Sequence, residues 1–169
     1  AQRNIAGISD KTGRILGILP DAAYRAGEAI TLAQGDTLLL YTDGGDTTSA
    51  IRYRELIELL KGSDVTAYVI GQLDHQSPSE RSAQRVILQQ VADTTGGQGF
   101  FPASVRDLGG AYEKVIAQIH AQYVVGYQST NVKADGAWRK VQVRLTDPSR
   151  KERRVRSRGG YFAPLRSDR

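Results

Sequence analysis

The pattern of apolar and polar positions changes twice along the chain, and each part predicts a different structure. In residues 1–36 short apolar stretches alternate with turn signals, which indicates a strand meander with strands at residues 14–19 and 29–32. Residues 37–122 alternate apolar strands with helical periods, as in a parallel sheet with crossover helices. In residues 123–169 the period returns to two, so antiparallel strands are expected there.

Three strands and three helices are predicted in the middle part. The strands are expected at Thr37–Thr42 and at residues 65–71 and 99–101, and the helices at residues 51–61, 78–95 and 105–119. Ser77 with Glu80 three positions later forms a capping-box sequence, and Pro78 suits the first helical position. Ser104 is expected to cap the third helix, and Thr48 or Ser49 the first.

The last part predicts three antiparallel strands at residues 123–128, 138–146 and 153–162, joined by Asp-Gly and Asp-Pro turns. The fold class is therefore α/β: a partial Rossmann-like parallel sheet with helices, preceded by a β meander and followed by antiparallel strands. The corresponding units are residues 1–36, 37–122 and 123–169.

Composition narrows the classes of function. The chain has 169 residues with 40% apolar content, which is enough for a core, and no run approaches the ~20 apolar residues that cross a bilayer, so no membrane insertion is expected. Cysteine is absent, which excludes disulfides, thiolate metal sites and cysteine nucleophiles. The chain lacks an initial methionine and an apolar leader, which predicts a processed or excised piece and points to no compartment.

Positive charge is concentrated near the C-terminus. The net charge is +5, whereas residues 139–169 hold eleven Lys or Arg against three acidic residues. Strand alternation predicts one basic face for polyanions, formed by Lys140, Arg144, Arg154, Arg156 and Arg158. Charged faces are more often simply solvated and few aromatic residues lie there, so nucleic acid is not the expected partner.

Several motifs resemble the von Willebrand factor A domains that are common in acidobacteria. The run DGGDTTS at residues 43–49 follows an apolar strand and opens a helix, and SDVTAYVIG, TGG, FF, QYVVGY and GGYFAP follow in the order of that family. The resemblance covers about residues 37–169, the C-terminal half of such a domain. It implies a non-catalytic binding module of a kind that is often secreted or attached to the cell envelope.

The first 45 residues resemble a different family. GILPD at residues 17–21 and GDTLLLYTDG at residues 35–44 are similar to the end of a bacterial PP2C-type (SpoIIE-like) serine phosphatase. The two resemblances meet at Asp43-Gly44, where both families end an apolar strand. A chimera joined at this point and chance convergence of about ten residues both fit the sequence.

Asp43 is the candidate metal ligand. In von Willebrand A domains its counterpart joins an Asp-x-Ser-x-Ser loop and a Thr to hold a divalent cation, and only Asp43 is present here. Asp46 and Thr47 are further oxygen donors, but Mg²⁺ or Mn²⁺ needs a more complete array. The phosphatase family likewise spreads several aspartates along the chain. Asp43 is therefore expected to fix a turn or helix start, with no catalysis and no resident cofactor.

Two further expectations concern catalysis and partners. Asp74, His75 and Ser77 could in principle form an acid-base group, but Ser77 is better explained as a helix cap. Intact von Willebrand A domains carry three more strands beside the strand corresponding to Thr37–Thr42. The resemblance therefore implies that this edge is covered by the N-terminal meander or by a second chain, and a protein partner or self-association is expected there.

Overall fold

The computed structural model describes residues 7–9, 15–17, 37–42, 52–147, 149 and 153–165. Its strands are β1 (Gly7–Ser9), β2 (Ile15–Gly17), β3 (Thr37–Thr42), β4 (Thr66–Gly71), β5 (Gly99–Phe100), β6 (Trp138–Lys140) and β7 (Gly160–Phe162). Its helices are α1 (Tyr53–Gly62), α2 (Pro78–Thr95) and α3 (Leu108–His120), with a 3-10 turn at Val105–Asp107 before α3.

A parallel three-stranded sheet in the order β3-β4-β5 is the centre of the fold. β4 pairs with β3 over six residues, from Thr37 opposite Thr66 to Thr42 opposite Gly71, and with β5 from Val69 opposite Gly99. The predicted mixed α/β class and the parallel arrangement of these three strands are confirmed. β1 and β2 form an antiparallel pair, while the strand expected at residues 29–32 lies outside the described residues.

The two faces of the sheet carry separate apolar cores. On one face Leu40 and Val69 pack against α1 and α2. The helix residues in this core are Ile57 and Leu60 of α1 and Val91 and Ala92 of α2. On the other face Tyr68 and Ile70 pack with Ala111 and Val115 of α3. Successive residues of a strand point to opposite faces, so the apolar sequence of β4 supplies both cores.

The ends of α2 follow the predicted signals. The Ser77 hydroxyl accepts a hydrogen bond from the Glu80 amide, and the Glu80 carboxylate accepts one from the Ser77 amide at 3.1 Å. The Glu80 carboxylate also accepts from the Ser77 hydroxyl at 2.6 Å, and the two hydrogen bonds that Ser77 donates to this carboxylate, from its hydroxyl and from its amide, lower the pKa of Glu80. Gly96 closes the helix in the left-handed conformation, with φ of 84°. The amide of Gly97 donates to the Ala92 carbonyl at 3.0 Å, which satisfies one of the helix's terminal acceptors.

The predicted starts of the other two helices are wrong. Arg52 precedes α1 and donates its amide to Glu55 at 3.0 Å, so neither Thr48 nor Ser49 is the cap. Ser104 precedes the 3-10 turn and donates its hydroxyl to Asp107 at 2.8 Å instead of accepting from an amide. A turn of tighter helix therefore delays the start of α3 to Leu108.

The antiparallel strands after α3 are shorter than predicted. The strand expected at residues 123–128 is absent from the described chain, where these residues pair with no other strand. The other two pair as β6 with β7, and on one side the pairing continues through the Ala163 amide to the Ala137 carbonyl at 2.9 Å. On the other side one bond follows, from the Val141 amide to the Gly159 carbonyl at 2.9 Å, and beyond it the described residues form no further strand. In that stretch the side chains of Arg156 and Arg158 contact the helical layer.

None of the helices in the described part of the chain combines the length and apolar character needed to cross a membrane.

Gly97 allows the turn after α2 to approach the backbone of β4. A Cβ atom at this position would overlap the carbonyl group of Ala67. We predict that Gly97→Ala lowers the free energy of unfolding by about 1–3 kcal/mol, since backbone must shift to admit the methyl group. Gly109→Ala is the matched control, because Gly109 has open space in helix α3, and it should stabilise by about 0.5–1 kcal/mol. Urea denaturation measures both, and equal effects would contradict the packing argument.

Candidate binding surface

The candidate metal residues Asp43, Asp46 and Thr47 lie outside the described residues. Thr42, the last residue of β3, is buried at the carboxyl end of the sheet. Within the described part of the chain, no three His, Asp or Glu side chains come together as a metal-binding group. The incomplete metal site therefore stays a prediction from the sequence.

The Asp74-His75-Ser77 loop is organised as a turn between β4 and α2. The Asp74 carboxylate lies 3.9 Å from His75, and the Ser77 hydroxyl donates to Glu80 at 2.6 Å while it caps α2. The guanidinium of Arg81 donates to three carbonyl oxygens of the same loop, those of Leu73, Asp74 and Gln76, at 3.1–3.2 Å. These contacts give the loop a structural role, and the hydrogen-bond partners of the Ser77 hydroxyl are Glu80 and Ser79.

Two of the five predicted polyanion residues make intramolecular ion pairs. Arg158 donates to the Asp64 carboxylate at 3.2 Å and to the Leu60 and Val65 carbonyls at 3.3 and 3.4 Å. Burial lowers the pKa of the Arg158 guanidinium, and the Asp64 carboxylate acts in the opposite direction. Arg156 pairs with Asp93 of α2 at 3.2 Å.

The other three cations are solvent-exposed. Lys140 lies on β6 opposite Gly160, Arg144 contacts Gln142 at 2.7 Å, and Arg154 lies in the stretch before the ion-paired arginines. The prediction that all five lie on one face of two paired strands is wrong, because the β6-β7 pairing does not reach Arg144 or Arg154.

Aromatic contacts hold the β6-β7 pair together and against α1. The rings of Trp138 and Phe162 meet edge to face at 4.9 Å, and the Lys61 ammonium lies 5.7 Å from the Trp138 ring. Asp135 forms the predicted turn before β6 by accepting from Arg139 at 2.7 Å and from the Ala137 amide at 3.0 Å. The hydrogen bond from Arg139 is the larger cause of the lowered pKa of Asp135.

Strand β3 forms an edge of the described sheet. Among the described strands it pairs with β4 alone. Its sequence, TLLLYT, has no charged residue and no proline, and the side chains of Leu39 and Tyr41 are more than a third exposed. Tyr41 donates its hydroxyl to Gln72, which leaves the apolar part of its ring at the surface. This edge thus offers main-chain hydrogen-bonding groups beside apolar side chains.

Besides the β3 edge, the described chain has an apolar segment that is exposed to solvent. Residues 122–128, with the sequence QYVVGYQ, follow α3, and in this segment Tyr123, Val124 and Val125 are 90%, 103% and 75% exposed. The side-chain amide of Gln122 donates to the Tyr68 hydroxyl at 3.1 Å, and the Tyr127 ring lies 6.3 Å from that of Tyr161. The segment is therefore attached near both ends and exposed between them.

This exposure was not predicted. The two-residue period of the segment predicts a paired strand, and the structure has none there, because periodicity contains no information about a pairing partner. Partial desolvation and the neighbouring Tyr161 raise the pKa of Tyr127, which agrees with a contact at that end of the segment.

Arg158 should contribute measurably to stability. Arg158→Gln removes an ion pair and two hydrogen bonds to partly buried carbonyls, so we predict a loss of about 1–2 kcal/mol in the free energy of unfolding. Arg154→Gln, at an exposed position four residues before Arg158, should change it by less than about 0.5 kcal/mol. Urea denaturation compares the two variants, and an equal loss would show that general charge in this segment matters more than the specific contacts.

In comparisons with known proteins, no family model, no curated protein and no solved structure matches this chain. The resemblance to von Willebrand factor A domains, and that of the first 45 residues to PP2C-type phosphatases, stay predictions from the motifs.

Proposed function

We propose that this chain is a non-catalytic protein-binding or scaffold module, similar to a von Willebrand A domain with an incomplete metal-ion-dependent adhesion site. Its binding surface is the edge of β3. The observation that supports this proposal is an uncharged edge strand with Leu39 and Tyr41 exposed beside it.

An edge strand binds extended polypeptide through its unpaired amide and carbonyl groups. Main-chain hydrogen bonds provide affinity in such strand addition, and side chains on alternate positions provide specificity. Proteins usually protect such edges with lysine, proline, a bulge or a short strand. β3 has none of the protecting residue types over its six residues, which favours a bound strand as its complement.

Two alternatives have less support. A metal-dependent phosphatase fragment would depend on Asp43, and the remaining aspartates of that family's site are absent from the sequence. Polyanion binding through the C-terminal cations would use five side chains, of which Arg156 and Arg158 are engaged with Asp93 and Asp64.

The β3 edge should bind an extended peptide. A fluorescently labelled peptide of alternating valine and threonine should give a saturable rise in anisotropy when the chain is titrated into it. Leu39→Lys should weaken this binding at least about tenfold, equivalent to about 1.4 kcal/mol, because an ammonium group at the edge opposes burial beside the peptide.

Ile87→Lys is the matched control for this substitution. Ile87 lies on α2 with an exposed fraction close to that of Leu39, and it is remote in sequence from β3. The control should bind the peptide as the unmodified chain does. Binding that is absent from the unmodified chain, or that is weakened equally by both substitutions, would contradict a binding site at β3.

Divalent cations should leave the stability of the chain unchanged if its metal site is incomplete. A ligand that binds only the folded state raises the unfolding temperature, so we predict no shift with millimolar Mg²⁺ or Mn²⁺ and no phosphate release from a phosphoserine peptide with Mn²⁺. A shift that is lost in Asp43→Ala would instead establish a working cation site.

A further inference from the structure

We propose that the occupant of the β3 edge is residues 122–128 of a second copy of this chain, added to the sheet as a further strand. This inference rests on the proposed function, and it names the partner. The donor strand (residues 122–128) and the acceptor strand (β3) are thus both present in one sequence, and the chain associates with itself.

The donor segment has the properties of a strand that lacks its neighbour. QYVVGYQ contains no charge and no proline, and alternation places Tyr123, Val125 and Tyr127 on one side of an extended chain. Within the described chain its amides and carbonyls from residue 123 to residue 128 make no main-chain hydrogen bonds. The contacts of Gln122 and Tyr127 tether it near both ends, which reduces the entropy lost when it pairs.

The acceptor strand matches this donor in length and in polarity. β3 has six residues, about 20 Å of extended chain, against seven residues in the segment. Leu39 and Tyr41 lie on the sheet face of Tyr68 and Ile70, to which they are paired in register. A strand beside β3 that placed its two tyrosines and Val125 on this face would continue an apolar surface already present on β3 and β4.

Charge and area both favour a second copy. Neither strand carries an ionised side chain, so pairing requires no buried charge. A fully buried aromatic side chain removes about 150–250 Å² from water, and Tyr123, Tyr127 and Tyr41 are 90%, 59% and 38% exposed, so reciprocal exchange between two copies buries up to roughly 900 Å² of these side chains. The valines and the backbone of both strands extend this toward the ~1,200 Å² of a stable interface.

Sedimentation velocity of the full chain tests whether self-association needs both β3 and residues 122–128. The unmodified chain should show concentration-dependent association, and Leu39→Lys and Val125→Lys should each weaken it at least tenfold. Val132→Lys is the matched control, because Val132 is 89% exposed and lies outside the segment, and it should associate normally. Circular dichroism of each variant confirms that the chain is folded.

Disulfide trapping identifies the contact directly, since the chain has no cysteine of its own. A Leu39→Cys chain is mixed with a chain that carries Tyr123→Cys, Val125→Cys or Tyr127→Cys, which together cover the alternative registers. Disulfide-linked heterodimers should form with at least one of these chains and not with Val132→Cys.

The possible results separate this inference from the proposed function. Association that is lost with Leu39→Lys but kept with Val125→Lys, or peptide binding by a chain that remains monomeric, would overturn the inference and leave the β3 binding edge in place. Absence of both peptide binding and self-association would overturn both, as would coverage of β3 by residues 1–36 of the same chain.

Discussion

The burial of β4 on both faces is the constraint on which the rest of the structure depends. Val69 is fully buried against α1 and α2, and Tyr68 and Ile70 are buried against α3. Burial of one such side chain contributes about 1.5–3 kcal/mol. The three helices cannot leave this strand without exposing apolar surface, whereas β3 and β5 each gain only one neighbour from the described sheet. The stable part of the molecule is therefore its centre, and the surfaces available for binding lie at its edges.

The C-terminal segment shows how polar contacts add to that core. Arg158 and Arg156 reach Asp64 and Asp93, while the Trp138–Phe162 ring contact joins β6 and β7. Gly96 contributes to the same docking, because a Cβ there would meet the backbone of Ser157 and Arg158. Two of the five cations that suggest a polyanion site in the sequence thus serve the attachment of this segment to the helical layer.

Local signals in the sequence predict the central fold well and the last third poorly. The apolar run of β4 and the Ser77–Glu80 capping box are short-range features, and the structure has both. The exposure of residues 122–128 and the ion pair between Arg158 and Asp64 depend on residues far apart in the chain, for which periodicity gives no signal. The candidate Asp43 site was predicted from family motifs alone, and it lies beyond the described residues.

The contacts of Arg158 also constrain the order in which the chain acquires its structure. Asp64 precedes Arg158 by 94 residues, and the carbonyls of Leu60 and Val65 accept hydrogen bonds from the same guanidinium. During synthesis, at about 5–20 residues per second, the junction of α1 and β4 emerges several seconds before the arginine that completes it. In that interval water takes the place of the guanidinium, although the Leu60 carbonyl has its own hydrogen bonds from the amide and hydroxyl of Ser63. A chain terminated before residue 158 would retain the solvated junction permanently, with the end of α1 and the start of β4 less firmly joined.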